Sequence, residues 1–225
     1  MRRASAVLLV CGLATFVARA ASAQSDPLPG RVEVGGGVDW IGRASMGSSN
    51  ATETTPSGGS APIFNTTTSL NGAAGVHANV SVRVYKRLEA EVLASWAKPA
   101  LETTISNDIE GGPGTTARET ITQYTIGGGA LWYLPFAPAA SKLAWFVDGS
   151  AAYLRQLHQG ETLVVTGQMY RAGGGVKYLF SSRPSRLKGF GVRADAALVV
   201  RVNGVAFGSG ALYSPAAGAS LFVRF

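Results

Sequence analysis

The chain has 225 residues, 46% of them hydrophobic and 15% charged, with 29 glycines, two histidines and one cysteine. Its formal charge of +7 falls to +4 once Arg2, Arg3 and Arg19 are set aside with an N-terminal leader that holds no acid, a balance that is no nucleic-acid footprint. The one thiol, Cys11, belongs to that leader, and no later stretch is long and apolar enough to cross a bilayer as a helix; disulfides, thiol chemistry and a helical membrane fold are therefore excluded from expectation.

The leader opens on Arg2 and Arg3, continues as an apolar run through Val17 and ends on Ala21-Ser22-Ala23. This pattern predicts a cleaved secretory signal over residues 1–23 and one all-β domain over residues 24–225. Period-two alternation then predicts eight strands. The first, residues 31–41, sets Val32, Val34, Val38 and Trp40 on one face against Glu33, Gly35, Gly37 and Asp39. The second, 73–85, sets Val76, Ala78, Val80, Val82 and Val84 against His77, Asn79, Ser81 and Arg83. After the Lys86-Arg87 turn, Leu88, Ala90, Val92, Ala94 and Trp96 oppose Glu89, Glu91, Leu93 and Ser95. The fourth, 118–134, shows Tyr124, Ile126, Ala130, Trp132 and Leu134 against Gln123, Thr125, Gly127 and Gly129.

A turn over 135–142 leads to the fifth strand, where Leu143, Trp145, Val147, Ala151 and Tyr153 oppose Asp148, Ser150, Ala152 and Gln156. The sixth, 166–180, carries Tyr170, Ala172, Val176, Tyr178 and Phe180 against Arg171, Gly173, Gly175 and Lys177. The seventh, 188–201, carries Phe190, Val192, Ala194, Ala196, Leu198 and Val200 against Arg193, Asp195 and Arg201. The last, 213–225, alternates Tyr213, Ala217, Ala219, Leu221 and Val223 with Gly218, Ser220, Phe222 and Arg224, and ends on Phe225. Pairing of the sixth and seventh strands about Pro184 would set Gly175 near Arg193 and Gly173 near Asp195.

Position of the aromatics separates lipid from water. Tyr124 and Trp132, Trp145 and Tyr153, and Tyr170 and Tyr178 stand eight residues apart on the apolar parity. Eight residues span about 26 Å of strand, or about 20 Å of barrel axis at a tilt of about 40°, close to the roughly 25 Å apolar band between aromatic girdles. Trp40, Trp96, Tyr124, Tyr153, Tyr170 and Tyr213 fall at one edge, and Trp132, Trp145, Tyr178, Phe180, Phe190 and Phe225 at the other. A soluble sandwich would turn its apolar face inward and has no reason to mark both edges. The long connections, 42–71 and 98–117, with the moderate ones, 157–165 and 202–211, follow odd strands; short turns follow even ones. That alternation predicts extracellular loops, periplasmic turns and both termini in the periplasm of an outer membrane.

The near-repeats G-G-G-V-D-W, G-G-G-A-L-W and G-G-G-V-K-Y, ending at Trp40, Trp132 and Tyr178, lie inside strands and so are not phosphate loops, which need a glycine turn opening a helix. With the leader, the run G-G-G-V-K-Y-L-F, the following G-V-R-A-D-A-A and the terminal phenylalanine, the chain resembles the eight-stranded outer-membrane β-barrel superfamily of the OmpA/OmpX/OmpW type. The resemblance implies an eight-stranded antiparallel transmembrane up-and-down β-barrel. It further implies a terminal signal for the barrel-assembly machinery in Leu221, Val223 and Phe225. The superfamily hosts anchors, adhesins, small-solute pores and a few lipid-modifying enzymes, so the resemblance does not select an activity.

An eight-stranded barrel is filled by its own side chains. Glu33, Asp39, Arg83, Glu89, Glu91, Asp148, Arg171, Lys177, Arg193, Asp195 and Arg201 share the inward parity, and buried charges must pair, so a salt-bridge network across the lumen is expected. That network reads either as a structural plug or as a gated polar path. His77 and His158 are expected to be satisfied polar side chains: His158 has Glu161 nearby in sequence but no adjacent serine, and two distant histidines make no metal set. No cofactor is expected. Lys86, Arg87, Lys142, Arg183, Arg186 and Lys188 make the turn end basic, suited to anionic headgroups of the inner leaflet or simply to solvation. The polar tract in 42–71 is expected to be flexible, an adhesive or masking surface for an extracellular ligand or merely tolerated length. The functional expectation is a non-enzymatic structural or surface-binding barrel among outer-membrane lipids, with a small-solute pore as the alternative and a lipid A-modifying enzyme more remote.

Overall fold

A computed structural model describes residues 28–54, 58–106, 114–135, 142–158, 160–182, 187–205 and 210–225. The expected signal, residues 1–23, lies outside the described residues. Twelve strands run β1 (Val32–Ile41), β2 (Ala44–Thr54), β3 (Ser60–Leu70), β4 (Ala73–Tyr85), β5 (Leu88–Ala97), β6 (Ala100–Ser106), β7 (Thr115–Thr120), β8 (Thr122–Tyr133), β9 (Leu143–His158), β10 (Leu163–Ser182), β11 (Gly189–Val202) and β12 (Leu212–Arg224). Eight of them close an antiparallel barrel in the order β1-β12-β11-β10-β9-β8-β5-β4. The other four, β2-β3-β6-β7, form a separate sheet on the loop rim.

The eight expected barrel strands are therefore present, and the two long connections hold four more. The fourth strand does not begin at Arg118, because residues 115–120 pair with β6 and the chain breaks at Ile121, whose N–H donates to the Pro99 carbonyl at 2.8 Å. The connection after β9 is not a moderate loop over 157–165, because Leu163, Val164 and Val165 already pair with His158, Leu157 and Gln156. Gly160 and Glu161 both take positive φ there, 67° and 72°. The tract in β2 and β3 forms a ladder in place of a flexible loop. Its many threonines are β-branched and suit a pleated strand, but with polar residues on both faces they leave no hydrophobic period to read.

Inside and outside follow the predicted parity. Val38, Val92, Ile126, Leu198 and Leu221 lie on the outer wall at 51–67% exposure, whereas Glu33, Lys177 and Arg224 are fully enclosed. This inverts the soluble pattern and puts apolar surface around the whole circumference. Trp40, Trp96, Tyr124, Tyr153, Tyr170 and Tyr213 ring the loop end of that wall, and Trp145, Tyr178, Phe180, Phe190 and Phe225 the turn end; Trp132 is half-buried. At the turn end Phe180 packs on Tyr178 and Phe190 with ring centroids 5.4 and 5.5 Å apart.

The register between β10 and β11 differs from the expected one by two residues. Gly175 stands opposite Asp195 and Gly173 opposite Ala197, and a bulge between Leu179 and Ser181 offsets the pairing by one further residue at the turn end. A two-residue shift preserves parity, so every side chain keeps its face. Gly175 sits where a Cβ would meet the Ala194 carbonyl and lie 2.7 Å from the Asp195 Cβ, so the strands approach too closely there for any side chain.

Closure rests on the pairing of β1 with β12 from Glu33↔Arg224 to Ile41↔Ala216. At its end, the Arg31 N–H donates to the Phe225 carbonyl at 2.8 Å and the Phe225 N–H donates to the Val32 carbonyl at 2.8 Å. Deleting Phe225 removes this final lock together with an exposed ring. The expected outcome is a several-fold fall in folded, heat-modifiable protein recovered from membranes, read by gel mobility with and without boiling; unchanged recovery would count against it.

Candidate functional site

The lumen is built in layers, and each layer exists because alternate residues of eight strands meet there. At the turn end Leu28 caps the barrel, its carbonyl accepting from Arg83 Nη2 at 2.5 Å. It packs with Leu131, Tyr133, Ala144, Phe146, Leu179 and Phe222 into an apolar floor.

The first charged layer joins this floor. Lys177 Nζ donates to Glu33 Oε1 at 2.6 Å and to Glu89 Oε2 at 3.3 Å. Arg224 donates through Nη1 to Glu33 Oε2 at 3.0 Å and through Nη2 to Glu89 Oε1. The Tyr133 hydroxyl donates to Glu89 Oε2 at 2.7 Å and accepts from Arg224 Nη1 at 3.3 Å, while Arg83 Nη2 approaches Glu89 Oε1 at 3.6 Å. Three cations thus share two carboxylates. The rings of Tyr133, Phe146 and Phe222 surround Lys177 Nζ with centroids 5.5–5.8 Å away, so aromatic faces supply further negative potential.

The second layer reverses the balance. Arg193 donates to Glu91 Oε2 at 2.7 Å and to Asp195 Oδ1 at 3.1 Å, with its guanidinium 4.8 Å from the Phe146 ring centroid. Arg171 pairs with Asp195 Oδ2 and lies 3.7 Å from Asp148 Oδ2, and Asn79 donates to Glu91 at 3.1 Å. Asp39 faces His77 Nδ1 at 3.8 Å. Two arginines therefore face four carboxylates. A cavity of about 50 Å³ lies among Asp39, His77, Asn79, Asp148, Ser150 and Arg171, room for only a few water molecules.

Above it, Ile41, Ala152, Leu154, Met169, Val199 and Ala216 form an apolar ceiling. A polar girder follows, Gln156 Nε2 donating to Gln123 Oε1 at 3.1 Å and Gln156 Oε1 accepting from the Val205 N–H at 2.9 Å. Ala44, Leu70, Ile121 and Leu212 then seal the base of the rim sheet. In that sheet Arg43 donates to Ser69 Oγ at 2.8 Å, Asn71 donates to Glu102 Oε2 at 2.8 Å, and the hydroxyls of Thr68 and Thr103 meet at 3.2 Å.

The expected inward charges Glu33, Arg83, Glu89 and Lys177 thus meet in one layer, and Asp39, Glu91, Asp148, Arg171, Arg193 and Asp195 in the next. Arg201 joins neither. It is buried beyond the ceiling, its Nη1 donating to Ser214 Oγ at 3.0 Å, with no carboxylate partner among the described residues. Arg224 and Tyr133 complete the first layer without having been expected there. Arg224 has the inward parity, and Tyr133 occupies the inward step between Trp132 and Leu134. The terminal residues Leu221 and Phe225 point outward, with Val223 half-buried.

The two histidines stand in different surroundings: His77 lines the cavity, and His158 Nδ1 lies 3.5 Å from Glu119 Oε1 rather than beside Glu161, which accepts from Thr122. Among the described residues no three His, Cys, Asp or Glu side chains gather as a metal set. Of the basic turn residues, Lys86 and Lys142 are exposed and Arg87 and Lys188 half-buried. Arg183 and Arg186 lie outside the described residues.

The two buried arrangements predict opposite responses. Lys177→Met leaves Glu33 and Glu89 short of a cation and should lower unfolding free energy by about 3–5 kcal/mol, as broken buried pairs do. Arg201→Met removes a cation with no carboxylate partner and should cost less than about 1 kcal/mol or stabilise. Urea unfolding in detergent micelles, followed by tryptophan fluorescence, measures both; equal losses would refute the distinction.

No family model matches the chain, and no curated protein matches it. Solved structures similar to it include neisserial surface protein A, at 16% identity over 86% of this chain and 97% of that one, with a TM-score of 0.48. The outer membrane protein OprG from Pseudomonas aeruginosa follows at 9% identity, 91% and 100% coverage and a TM-score of 0.47. The N-terminal β-barrel domain of Pseudomonas aeruginosa OprF shows 13% identity, 86% and 99% coverage and 0.35. These likenesses are weak, and the fold rests on the chain's own strand pairing: it is an eight-stranded antiparallel up-and-down β-barrel.

Proposed function

We propose that the chain is a sealed, non-enzymatic outer-membrane barrel whose exposed working surface is the rim sheet. The observation that carries this reading is the stacking of lumen layers. Ion pairs, fully buried in the first layer and largely buried in the second, lie between an apolar floor and an apolar ceiling, and the cavity between them is smaller than any path a hydrated solute needs. Membrane placement is supported by the apolar outer wall and its two aromatic edges, since water would leave that wall unsatisfied and lipid would not. Orientation with the rim sheet outside and both chain ends in the periplasm is supported by the short connections at the opposite end. Delivery through the barrel-assembly machinery, using Leu221, Val223 and Phe225, belongs to the same proposal.

A plug differs from a gate in what holds it. Opening a path would require parting Lys177 and Arg224 from two carboxylates that no water reaches, and no hinge-like connection interrupts the strands that carry them. The non-enzymatic reading is supported by the histidines, each facing one carboxylate at separate places in the barrel. The rim sheet is bound by main-chain ladders across four strands, which suits a surface that presents a fixed shape to an extracellular ligand.

Planar-bilayer recording tests the seal. The expected record shows no stable openings, and sustained conductance from purified protein would favour the small-solute pore instead. Cysteine labelling tests orientation: Thr116→Cys in β7 should react with an impermeant maleimide on intact cells while Lys86→Cys in the β4–β5 turn should not. The reverse pattern would overturn the topology.

A further inference from the structure

The outer wall carries, at its loop edge, a row of rings and cations that neither closure nor the lumen uses. Trp96 of β5 stands opposite Tyr124 of β8, and Tyr124 stands opposite Arg155 of β9. Lys98, just past the end of β5, holds its Nζ 5.4 Å from the Trp96 ring centroid. All four side chains are exposed. Neither Lys98 nor Arg155 has a carboxylate partner among the described residues, although other charged groups of the rim, Glu119 with His158 and Glu102 with Asn71, are engaged. Neighbouring strands lie about 4.8 Å apart, so the backbones of Trp96 and Arg155 stand roughly 10 Å apart with Tyr124 between them, a gap that the long Lys98 and Arg155 side chains can close onto one phosphate.

Directly beside Arg155 the wall is hollowed. A groove of about 420 Å³ is lined by Tyr124, Thr125, Ile126, Tyr153, Arg155 and Leu157, with Ile126 opposite Tyr153 at its base. Long basic side chains lay their stems along apolar surface and raise their charge toward water. A ligand that fits must therefore carry negative charge at the level of Lys98 and Arg155 and an apolar tail running down the wall. A free anion answers only the first requirement.

We propose that this row clamps the phosphorylated headgroup of an anionic lipid in the outer leaflet, its phosphate held between Lys98 and Arg155 and its first acyl carbons lying over Ile126 between Tyr124 and Tyr153. Trp96 and Tyr124 set the depth at which the headgroup rests, because amphipathic rings settle at the headgroup level. The proposal rests on the membrane placement given above.

The test uses the protein refolded in neutral-detergent micelles and titrated with phosphatidylglycerol or phosphatidylcholine of identical acyl chains, retention being read by native mass spectrometry. The wild type should retain the anionic lipid preferentially. Lys98→Gln and Arg155→Gln should each lower that retention about fivefold, and together roughly 30-fold, with phosphatidylcholine unchanged. Equal retention by the double variant would overturn the clamp. An equal loss in the charge-matched pair Arg31→Gln/Arg118→Gln, both exposed and away from the row, would also overturn it, and so would displacement of the lipid by millimolar inorganic phosphate, which would mark a free-anion site. Heat-modifiable mobility shows that each variant is folded. Failure of the wild type itself to insert into lipid bilayers would sink the membrane reading and the clamp with it, whereas insertion with unselective retention sinks the clamp alone.

Discussion

Everything in this molecule depends on the hydrogen-bonded seam between β1 and β12. A sheet of eight strands has two open edges, and an apolar surrounding offers their N–H and C=O groups nothing to bond. Joining Glu33 to Arg224 and Val38 to Ala219 removes both edges at once. Closure also divides each strand's side chains into a set that must suit the exterior and a set that must fit a narrow interior. The seam itself carries that division, since Glu33 and Arg224, partners in its ladder, are also partners in the first charged layer through their side chains. The last covalent residues of the barrel are thereby tied to the first by main chain and by charge.

The interior charges follow from geometry and are costly to bury singly. Separating them into two layers of unequal composition gives Glu33, Glu89, Lys177, Arg224, Arg171 and Arg193 two or more opposite charges each, with the aromatic rings of the floor supporting the cation-rich layer. The carboxylate-rich layer holds the small cavity instead, where a few water molecules can meet oxygens that lack protein donors, among them Asp39 Oδ1 and Asp148 Oδ1. Solvation of the excess charge thus differs from one level to the next.

Much of the barrel was legible in the sequence because a period of two is a local property. Trp132 and Leu134, or Val80 and Val82, declare their face without reference to any partner. Register is not local, and Gly175 stands opposite Asp195 rather than Arg193 without a single face being altered. Tyr133 was missed because its hydroxyl matters only once Glu89, 44 residues away, is brought beside it. Arg201 shows the converse: its parity is inward, yet height along the barrel separates it from the carboxylates, and height depends on tilt and stagger. The rim strands escaped notice because Thr66, Thr67 and Thr68 show no contrast between neighbours. Their order comes from cross-strand partners far along the chain.

The rim sheet has a consequence of its own for how the surface can change over evolutionary time. β2 and β3 belong to one connection and β6 and β7 to another, yet they are joined through the β3–β6 ladder into a single piece standing over the β1, β4, β5 and β8 side of the barrel. Shape there is maintained by backbone bonding and by the small apolar base around Leu70 and Ile121 rather than by its outward residues. Outward positions such as Ser49, Thr54, Thr104 and Thr116 can be exchanged while the scaffold persists. A surface of this kind can alter its chemical face without renegotiating its fold, whereas the β9–β10 hairpin, paired up to His158 and Leu163, has little face to alter.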